Sequence, residues 1–467
     1  MIILPSNSSG EFEVANSLRF NDGSSDHLSR TPSSASNRRT WTWSSWIKLG
    51  AVSGDRCIFS ASSDASNRNA LNISNEAYFI FDYEVGGSRY LVSSQDAVYR
   101  DPSAWYHVVL AVDTTQSTNT NRVKIYVNGS QITLTTILNG YPPQNADMFI
   151  NNNIGHAIGK QNWGTAYYDG YMTEVVLIDG SQLDPTSFGE FSEDENIWRP
   201  IDVSSLTFGT NGFYLYFENS GSLGADVSGN GNNFTVNNLT SIDQTTDTCT
   251  NNFATFSPLV PRTSTGSAII PTFSNGNLSA SFPSTPNRNA PSTIAVSSGK
   301  WYAEIKMTST TDGDGTFYIG VNNLEDYDNG FLGNQMYAYV DDGRKKTLGT
   351  YASYGNSFTN NDIIGIAFDS DNGTVWFSKN GTWQNSATQS EIENGTTTNS
   401  AFSGLDTSKF WNITVNGYNN KSCSANYGNP PFSISSGNSD GSGYGNFEYA
   451  VPSGYYALNT KNLSEYG

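Results

Sequence analysis

The sequence predicts an all-β protein made of two tandem antiparallel β-sandwiches. Its 467 residues are too many for one hydrophobic core and suit two large domains. Only 14% of the residues are charged and 13% are aromatic, so burial depends on rings and β-branched side chains, which favour strands. The 44 glycines and the many Asn, Ser and Thr residues supply turns for short strands. Helical periodicity appears nowhere at length.

Strands separated by polar turns fill the first third of the chain. Residues 41–47 (Trp-Thr-Trp-Ser-Ser-Trp-Ile) place rings on both faces, as expected for a strand that is covered on both sides. Residues 105–112 form a nearly continuous apolar run that ends at Asp113. After a polar stretch, residues 123–127 alternate between apolar and polar side chains, as in a half-buried strand. The pair Asn128-Gly129 then indicates a type I′ hairpin turn.

The later part of the chain repeats this order of features. Residues 363–368 are an apolar run that ends at Asp369, and a polar turn extends to Gly373. Residues 375–378 then alternate, and Asn380-Gly381 follows as a second type I′ signal. We therefore expect two domains of related sandwich topology, although too few residues match to establish a duplication.

Between the two patterned regions lies a stretch rich in Asn, Gly, Thr and Pro with only brief apolar pieces, such as residues 253–256. This composition predicts an extended connector at residues 220–271. The predicted domains are then a first sandwich at residues 1–219 and a second sandwich at residues 272–467.

Charge and cysteine content exclude several classes of function. The formal net charge of −19 argues against nucleic acid and anionic membrane surfaces as partners. Arg38-Arg39 and Arg344-Lys345-Lys346 are the only basic clusters, and we interpret both as solvated turn charges. The N-terminus lacks the features of a signal peptide and no segment is long enough to insert into a membrane. The odd number and wide spacing of Cys57, Cys249 and Cys423 disfavour disulfides and a metal site.

Three segments characterise the first predicted sandwich: residues 168–180 (Tyr-Asp-Gly-Tyr-Met-Thr-Glu-Val-Val-Leu-Ile-Asp-Gly), Asn-Trp-Gly at residues 162–164 and the hairpin at residues 105–129. Together they are similar to the closing strands of the laminin-G-like, concanavalin-A-like jelly rolls. The resemblance covers about the first two hundred residues.

Four segments characterise the second predicted sandwich: residues 298–305 (Ser-Gly-Lys-Trp-Tyr-Ala-Glu-Ile), 317–321, 361–369 and 375–381. Together they resemble a SPRY domain. Each segment alone is weakly diagnostic, but the four in this order are specific.

The phrase at residues 226–240 (Asp-Val-Ser-Gly-Asn-Gly-Asn-Asn-Phe-Thr-Val-Asn-Asn-Leu-Thr), in combination with the two sandwiches, is similar to uncharacterised proteins of marine tailed phages. This resemblance implies a virion component that is made in the host cytoplasm and displayed on the particle exterior. It does not distinguish a tail fibre, a tail adhesin and a capsid decoration, because all of these use such modules.

A polysaccharide hydrolase is the competing function, because several hydrolase families are built on the jelly roll. Such an enzyme needs two carboxylates across a sugar-binding groove. The acidic runs at residues 190–195 and 325–328 instead lie beside Asn or Gly in loops, where we interpret them as solvated turns. Of the three histidines, we expect His107 to pack within its apolar strand and His27 and His156 to lie in loops, which leaves little material for a catalytic triad. We therefore predict no enzymatic activity.

No metal or cofactor is predicted. Residues 369–373 imitate the start of an EF-hand loop, but the twelfth position is Asn380 and strands flank the segment, so a hairpin turn is the better interpretation. Two carboxylate pairs could bind a surface ion, with solvated turn carboxylates as the simpler interpretation: Asp22 with Asp26, and Asp312 with Asp314.

Aromatic residues in polar loops are the better candidates for ligand binding, because a ring can stack on the apolar face of a sugar while amides and hydroxyls bond its edge. The alternative is that these rings pack in the core or in cross-strand pairs. The candidates are Asn162, Trp163, Tyr167 and Tyr168 in the first domain, and Tyr327, Tyr351, Tyr354 and Trp383 in the second. The resemblances favour the first domain, since its jelly-roll relatives more often present sugars.

The sequence thus leads to a non-enzymatic structural or adhesion protein of a virion. Its expected partners are host-surface glycans, neighbouring virion proteins, or both. We expect a homo-oligomer with cyclic symmetry, threefold in the case of a fibre, because a weak carbohydrate site needs several copies to hold a particle. A jelly-roll hydrolase and an architectural spacer without a ligand are the alternatives.

Overall fold

The computed structural model describes residues 12–50, 54–95, 97–193, 196–259, 270–285, 287–309, 313–323 and 336–467. It divides into two compact units, and the boundary lies between Thr250 and Asn251. Both units are built almost entirely of antiparallel strands, so the predicted all-β fold is confirmed. Within the described ranges, no helix is both long and apolar enough to cross a lipid bilayer.

The N-terminal unit has two large sheets and one small hairpin among its described residues. Its strands are β1 (Ser17–Phe20), β2 (His27–Arg30), β3 (Thr40–Leu49), β4 (Arg56–Asp64), β5 (Asn67–Ile73), β6 (Phe79–Val85), β7 (Ser88–Ser93), β8 (Trp105–Asp113), β9 (Val123–Val127), β10 (Ser130–Gln131), β11 (Thr135–Leu138), β12 (Gly155–Ile158), β13 (Gly170–Asp179), β14 (Gly189–Phe191), β15 (Trp198–Pro200), β16 (Phe213–Leu215), β17 (Thr235–Asn237) and β18 (Gln244–Thr245). The first sheet has the order β10-β9-β8-β3-β13-β1-β18, with β16 also paired to β13. The second sheet has the order β11-β7-β6-β5-β4-β12-β2-β17, and β14 pairs with β15.

The core of this unit lies between its two large sheets. Along β3, Trp41, Trp43 and Ile47 belong to the main core cluster, and the Trp43 ring stacks on Phe59 of the second sheet with centroids 4.2 Å apart. Trp46 points to the opposite face of the strand and belongs to a separate buried cluster. The prediction that this strand is covered on both faces is therefore confirmed.

Both predicted type I′ turns are present. Asn128 and Gly129 follow β9 with φ angles of 47° and 78°. In the C-terminal unit, Asn380 and Gly381 have φ angles of 48° and 77°. Two consecutive positive φ angles are what a type I′ turn requires, and Asn and Gly tolerate them best.

The described part of the stretch predicted as a connector is built into the two units. β17 pairs with β2, with Thr235 opposite Ser29, and β18 pairs with β1, with Leu18 opposite Gln244. Both strands extend the sheets of the N-terminal unit. The described residues after the boundary belong to the C-terminal unit, where Phe256 lies in the core. Residues 220–250 therefore complete the first sandwich, which replaces the expected end at residue 219.

The C-terminal unit also has two sheets among its described residues. Its elements are β19 (Thr272–Ser274), β20 (Ser279–Ser281), β21 (Arg288–Val296), β22 (Lys300–Ser309), β23 (Phe317–Asn323), β24 (Tyr337–Val340), β25 (Arg344–Thr347), β26 (Thr350–Ser353), β27 (Ile363–Asp369), β28 (Thr374–Lys379), β29 (Thr382–Trp383), α1 (Gln389–Glu393), β30 (Trp411–Gly417), β31 (Ser422–Asn426), β32 (Tyr456–Ala457) and α2 (Thr460–Tyr466). One sheet has the order β19-β20-β31-β22-β27-β28-β29, and β32 pairs in parallel with β22. The other has the order β21-β30-β23-β24-β25-β26.

Alternation along the strands places the core of this unit between its sheets. Phe317, Ile319 and Val321 of β23 point inward together with Ile413 and Val415 of β30. The residues between them point to the outer face of the six-stranded sheet.

Candidate ligand-binding sites

The loop that connects β12 to β13 is fixed to the outer face of the second sheet of the N-terminal unit. A β-bridge between Lys160 and Tyr167 closes the loop. The Oγ of Ser60, on β4, donates to the Lys160 carbonyl at 2.7 Å and accepts from the Asn162 N–H at 3.1 Å. The loop therefore has a defined conformation rather than depending on a ligand for order.

Trp163 lies half-buried in this loop beside a charged cluster. The guanidinium carbon of Arg68 is 4.9 Å from the centroid of the Trp163 ring, a cation–π distance. Arg68 is itself held by Asp82, with Nε and Oδ2 3.3 Å apart, and by Glu84, with Nη2 and Oε2 2.6 Å apart. Because the arginine is fixed on both sides, the indole is held in one orientation, as preorganised ligand binding requires.

Asn162 and Tyr167 lie in the same loop as Trp163. The Nδ2 of Asn162 donates to the Gly155 carbonyl at 3.0 Å, so its amide orientation is set by the protein. Tyr167 is half-buried, and the Lys160 ammonium lies 5.5 Å from its ring centroid. The structure thus brings three of the predicted residues together in one loop that is partly open to solvent.

Two other predicted residues are core residues. Tyr168 is fully buried, its hydroxyl donates to the Lys48 carbonyl at 3.0 Å, and burial raises its pKa well above the usual value. Tyr354 is buried as well, and its hydroxyl accepts from the Phe377 N–H at 3.2 Å. Neither ring offers a face for stacking on a sugar.

The remaining predicted residues of the C-terminal unit do not form one surface. Tyr327 lies outside the described residues. Trp383 packs against a buried aromatic cluster. Tyr351, on β26, is 37% exposed, and the Arg344 guanidinium carbon lies 4.2 Å from its ring centroid. Tyr351 is therefore the candidate in the described part of this unit that presents an accessible ring.

His107 is the centre of a buried polar chain that the sequence did not indicate. The Trp198 Nε1–H donates to its Nδ1 at 3.0 Å, and its Nε2 is 2.8 Å from the Ser44 Oγ. Because an indole nitrogen only donates, the imidazole proton must sit on Nε2 and point at the serine. Burial lowers the pKa of His107 to about 3, so the ring stays neutral. In a nucleophile–base pair the serine hydroxyl donates to the histidine, whereas here the histidine donates to the serine. This direction supports the predicted packing role of His107.

The other histidines are strand residues. His27 begins β2, and His156 is buried within β12. Their assignment to loops was wrong, because the polar neighbours that suggested loops belong to the adjoining turns.

Candidate nucleophiles are likewise in unsuitable surroundings. Residues 437–441 have the spacing G-x-S-x-G, but Ser439 is exposed in a loop, whereas a nucleophile elbow needs a turn from a strand to a helix. Cys57, Cys249 and Cys423 are free thiols, and burial raises the pKa of each. A protonated, buried thiol is a poor nucleophile.

One carboxylate of each predicted ion site has a protein partner. Asp26 accepts from the Asn21 N–H at 3.0 Å, and Asp314 accepts from the Lys421 ammonium at 2.6 Å. Asp312, residues 194–195 and residues 325–328 lie outside the described part. In the ranges that are described, no three His, Cys, Asp or Glu side chains come together as metal ligands.

Glu174 is the buried acid that sequence reasoning missed. It interrupts the apolar strand β13, where the pairing with β3 is irregular and its own φ is 51°. Its Oε2 accepts from the Tyr214 hydroxyl, and burial raises the pKa of the carboxyl from 4.5 to about 7. It lines a narrow gap that leaves no room for a water molecule, together with Ser44, Trp46, His107, Val176, Phe188, Pro200 and Val203. The sequence signal that could have identified Glu174 is a single charged residue within an apolar run.

The raised pKa of Glu174 predicts a specific dependence of stability on pH. The folded protein keeps a proton on Glu174 at pH values where the unfolded chain, with a pKa near 4.5, has released it. The stability that the protonated carboxyl contributes is therefore complete below pH 4.5 and is lost as the pH rises to about 7. The loss is about 3 kcal/mol. We expect the unfolding free energy of Glu174→Gln to lack this fall. Urea unfolding of both proteins between pH 4 and 8 measures the difference between their unfolding free energies. The buried histidines are the same in both proteins, so their contribution to the pH dependence cancels in this difference. A difference that does not vary with pH would contradict the assignment.

Comparison with known families agrees with this two-unit architecture. Residues 22–183 match the family described as the concanavalin A-like lectin/glucanases superfamily, of the laminin G type. Residues 300–430 match the SPRY domain family.

Three solved structures illustrate the likeness. The SPRY domain of human HERC1 is 18% identical, with a TM-score of 0.26, over 32% of this chain and 87% of its own. Domains LG4-5 of the mouse laminin alpha1 chain are 11% identical, with a TM-score of 0.30, over 88% of this chain and 85% of their own. The SAP-like pentraxin of Limulus polyphemus is 17% identical, with a TM-score of 0.25, over 38% of this chain and 75% of its own. The two family matches show that the chain carries a laminin-G-like, concanavalin-A-like jelly roll followed by a SPRY domain.

Proposed function

We propose that this protein is a non-enzymatic adhesion or structural component of a phage virion, and that its N-terminal unit binds a glycan at Trp163. The observation that carries the proposal is the fixed, half-buried Trp163 ring on the outer face of a sheet, with Asn162 and Tyr167 in the same loop. A rigid ring beside amide and hydroxyl groups suits the apolar face and polar edge of a sugar.

The state of the buried acids favours binding over hydrolysis. The matched superfamily includes lectins and glucanases, and a glucanase needs two accessible carboxylates. Glu174 is buried and lines a narrow gap together with Phe188 and Pro200. Asp82 is neutralised by Arg68 and Arg89. Neither acid lies in an open groove of the kind in which a hydrolase would hold its substrate.

The virion part of the proposal rests on the phage resemblance at residues 226–240. A particle component is displayed in many copies, so a weak site at Trp163 in each copy of a homo-oligomer would give strong attachment through multivalency. Host-surface glycans are then the partner of the N-terminal unit, and neighbouring virion proteins are partners of the remaining surface.

Replacing Trp163 by alanine tests the glycan site. On a glycan array, we expect the full chain to bind and the variant to lose about 1 kcal/mol or more of binding free energy through loss of the stacked ring. The melting temperature should change little, because the ring is only half-buried. Tyr351→Ala is the matched control, since it removes a partly exposed ring from the other unit.

Four outcomes would contradict the proposal. Unfolding of Trp163→Ala would make Trp163 a core residue, and loss of binding only in Tyr351→Ala would move recognition to the C-terminal unit. Sustained release of reducing ends from a polysaccharide would make the protein a hydrolase. A silent array together with a large ordered contact to a virion protein would favour a spacer.

A further inference from the structure

The β25–β26 hairpin forms an open edge of the six-stranded sheet. β26 is the last strand of that sheet in the part of the chain that the structure describes, and all four of its residues are exposed. Leu348 and Gly349 form the two-residue turn, with φ angles of 47° and 78°. The residues that flank such a turn form a hydrogen-bonded pair, so the N–H and C=O groups of Tyr351 and Ser353 point away from β25. This edge can accept another strand.

Lys346 lies on the outer face of the same hairpin without a carboxylate partner. Its side chain is nearly buried, with 4% of the residue exposed. The ammonium lies 4.6 Å from the Tyr318 ring centroid and 5.3 Å from the Tyr351 ring centroid. Among the described residues, no Asp or Glu lies within ion-pair distance of it. Two rings offset only part of the cost of burying a charge, so an anion placed here would be stabilised.

Other polar groups on this face also have unused hydrogen-bonding capacity. Asn322 is fully buried, and neither atom of its amide has a hydrogen-bond partner within the described ranges. The Oδ1 of Asn416, on the neighbouring strand β30, also has no hydrogen-bond partner among the described residues. Buried amides are normally bonded, so this face is not a completed structural network.

The exposed rim of the hairpin has the composition of a protein interface. Leu348 at the turn is 68% exposed and Tyr351 is 37% exposed. Arg344, paired with Asp342, stacks on Tyr351. Aromatic and Arg anchors beside an exposed apolar side chain are typical of protein recognition.

We propose that the β25–β26 hairpin is a docking site for an extended acidic segment of a protein partner, which adds as a strand to β26 and places a carboxylate against Lys346. Strands in a sheet lie about 4.8 Å apart, so the acidic side chain reaches over Tyr351, where the ammonium already lies. In a chain with a net charge of −19, the Lys346 ammonium, which has no carboxylate partner among the described residues, gives this edge local complementarity to an acidic partner. The site is independent of the glycan site at Trp163.

Fluorescence anisotropy with a labelled hexapeptide, acetyl-Thr-Glu-Val-Glu-Val-Thr-amide, tests the proposal on the full chain. Its alternation places both carboxylates on one face of the added strand. We expect binding that is at least tenfold weaker for the matched Gln peptide and for Lys346→Met. Lys379→Met, which removes the same charge from the Lys379–Asp362 ion pair, should bind the Glu peptide like the wild type.

A second variant tests the edge itself and does not depend on the folding of Lys346→Met. Ser353→Pro removes an N–H that points outward and no bond to β25, so it should fold and still lose at least tenfold in peptide affinity. In the unmodified chain, hydrogen exchange at residues 350–353 should slow when the peptide binds.

The proposal fails if no Glu peptide binds, if the Gln peptide binds equally well, or if Lys346→Met folds and binds unchanged. It also fails if hexagalacturonate binds in a manner that requires Lys346 but tolerates Ser353→Pro. That last result would make the site one for acidic glycans.

Discussion

Replacing Asp247 by alanine is expected to destabilise the N-terminal unit by about 3–5 kcal/mol, the usual cost of leaving one member of a buried ion pair alone. The Asp247 Oδ2 lies 2.7 Å from the Lys48 ammonium, and both side chains are 1% exposed. Its Oδ1 accepts from the Trp105 Nε1–H at 3.2 Å. Burial lowers the pKa of Lys48 and the carboxylate opposes that shift, so the variant would leave an ammonium and an indole N–H buried without this partner.

Urea unfolding of the full chain, followed by the fluorescence of the buried tryptophans, measures the effect. Asp147→Ala is the matched control, because the ion pair of Asp147 with Arg39 is about half exposed on both sides and should contribute far less to stability. Equal stabilities of the two variants would show that the Lys48 charge is tolerated without Asp247.

This ion pair also shows why the domain boundary could not be predicted from local patterns. Asp247 lies in the stretch that was expected to be a connector, and Lys48 lies in β3, about two hundred residues earlier. The strands of that stretch, β17 and β18, have three residues and two residues. Such short pieces show no alternation, and their pairing with β2 and β1 is visible only in three dimensions.

The hairpins were predictable because their signals are local. Asn128-Gly129 and Asn380-Gly381 need only the intrinsic tolerance of Asn and Gly for positive φ. The burial of β3 on both faces was predictable for a similar reason, since tryptophans occur at both odd and even positions. These signals were sufficient for the fold class and for the core of each sandwich.

The candidate sites were less predictable, because neighbouring rings can point in opposite directions. Tyr167 and Tyr168 are adjacent, yet the first is half-buried in the loop and the second is in the core. The local sequence is the same for both tyrosines and does not show which ring is buried. That depends on the strand that begins at Gly170. The cation at Trp163 comes from Arg68 on β5, a contact that spacing along the chain does not reveal.

The C-terminal unit has a comparable buried acid in Glu304, which is fully buried in β22. Its Oε1 accepts from the Tyr302 hydroxyl at 3.2 Å and from the Tyr449 N–H at 2.9 Å. Its Oε2 accepts from the Asn426 Nδ2 at 3.1 Å and from the Glu448 N–H at 3.0 Å. Four donors on three parts of the chain therefore depend on one carboxyl group, which ties residues 448–449 to the sheet.

Glu304→Ala is expected to lower the unfolding free energy of this unit by about 3–5 kcal/mol, because each buried donor that loses its acceptor costs about 1–3 kcal/mol and relaxation recovers part of the sum. Glu304→Gln should have a smaller effect, since the amide keeps one acceptor oxygen. Urea unfolding gives the free energies, with Glu465→Ala, an exposed acid on α2, as the control. Hydrogen exchange gives the local readout: the amides of Glu448 and Tyr449 should lose protection in Glu304→Ala while those of β27 keep it. Retained protection at both amides, or a stability close to that of Glu465→Ala, would mean that the 448–449 segment is held by other contacts.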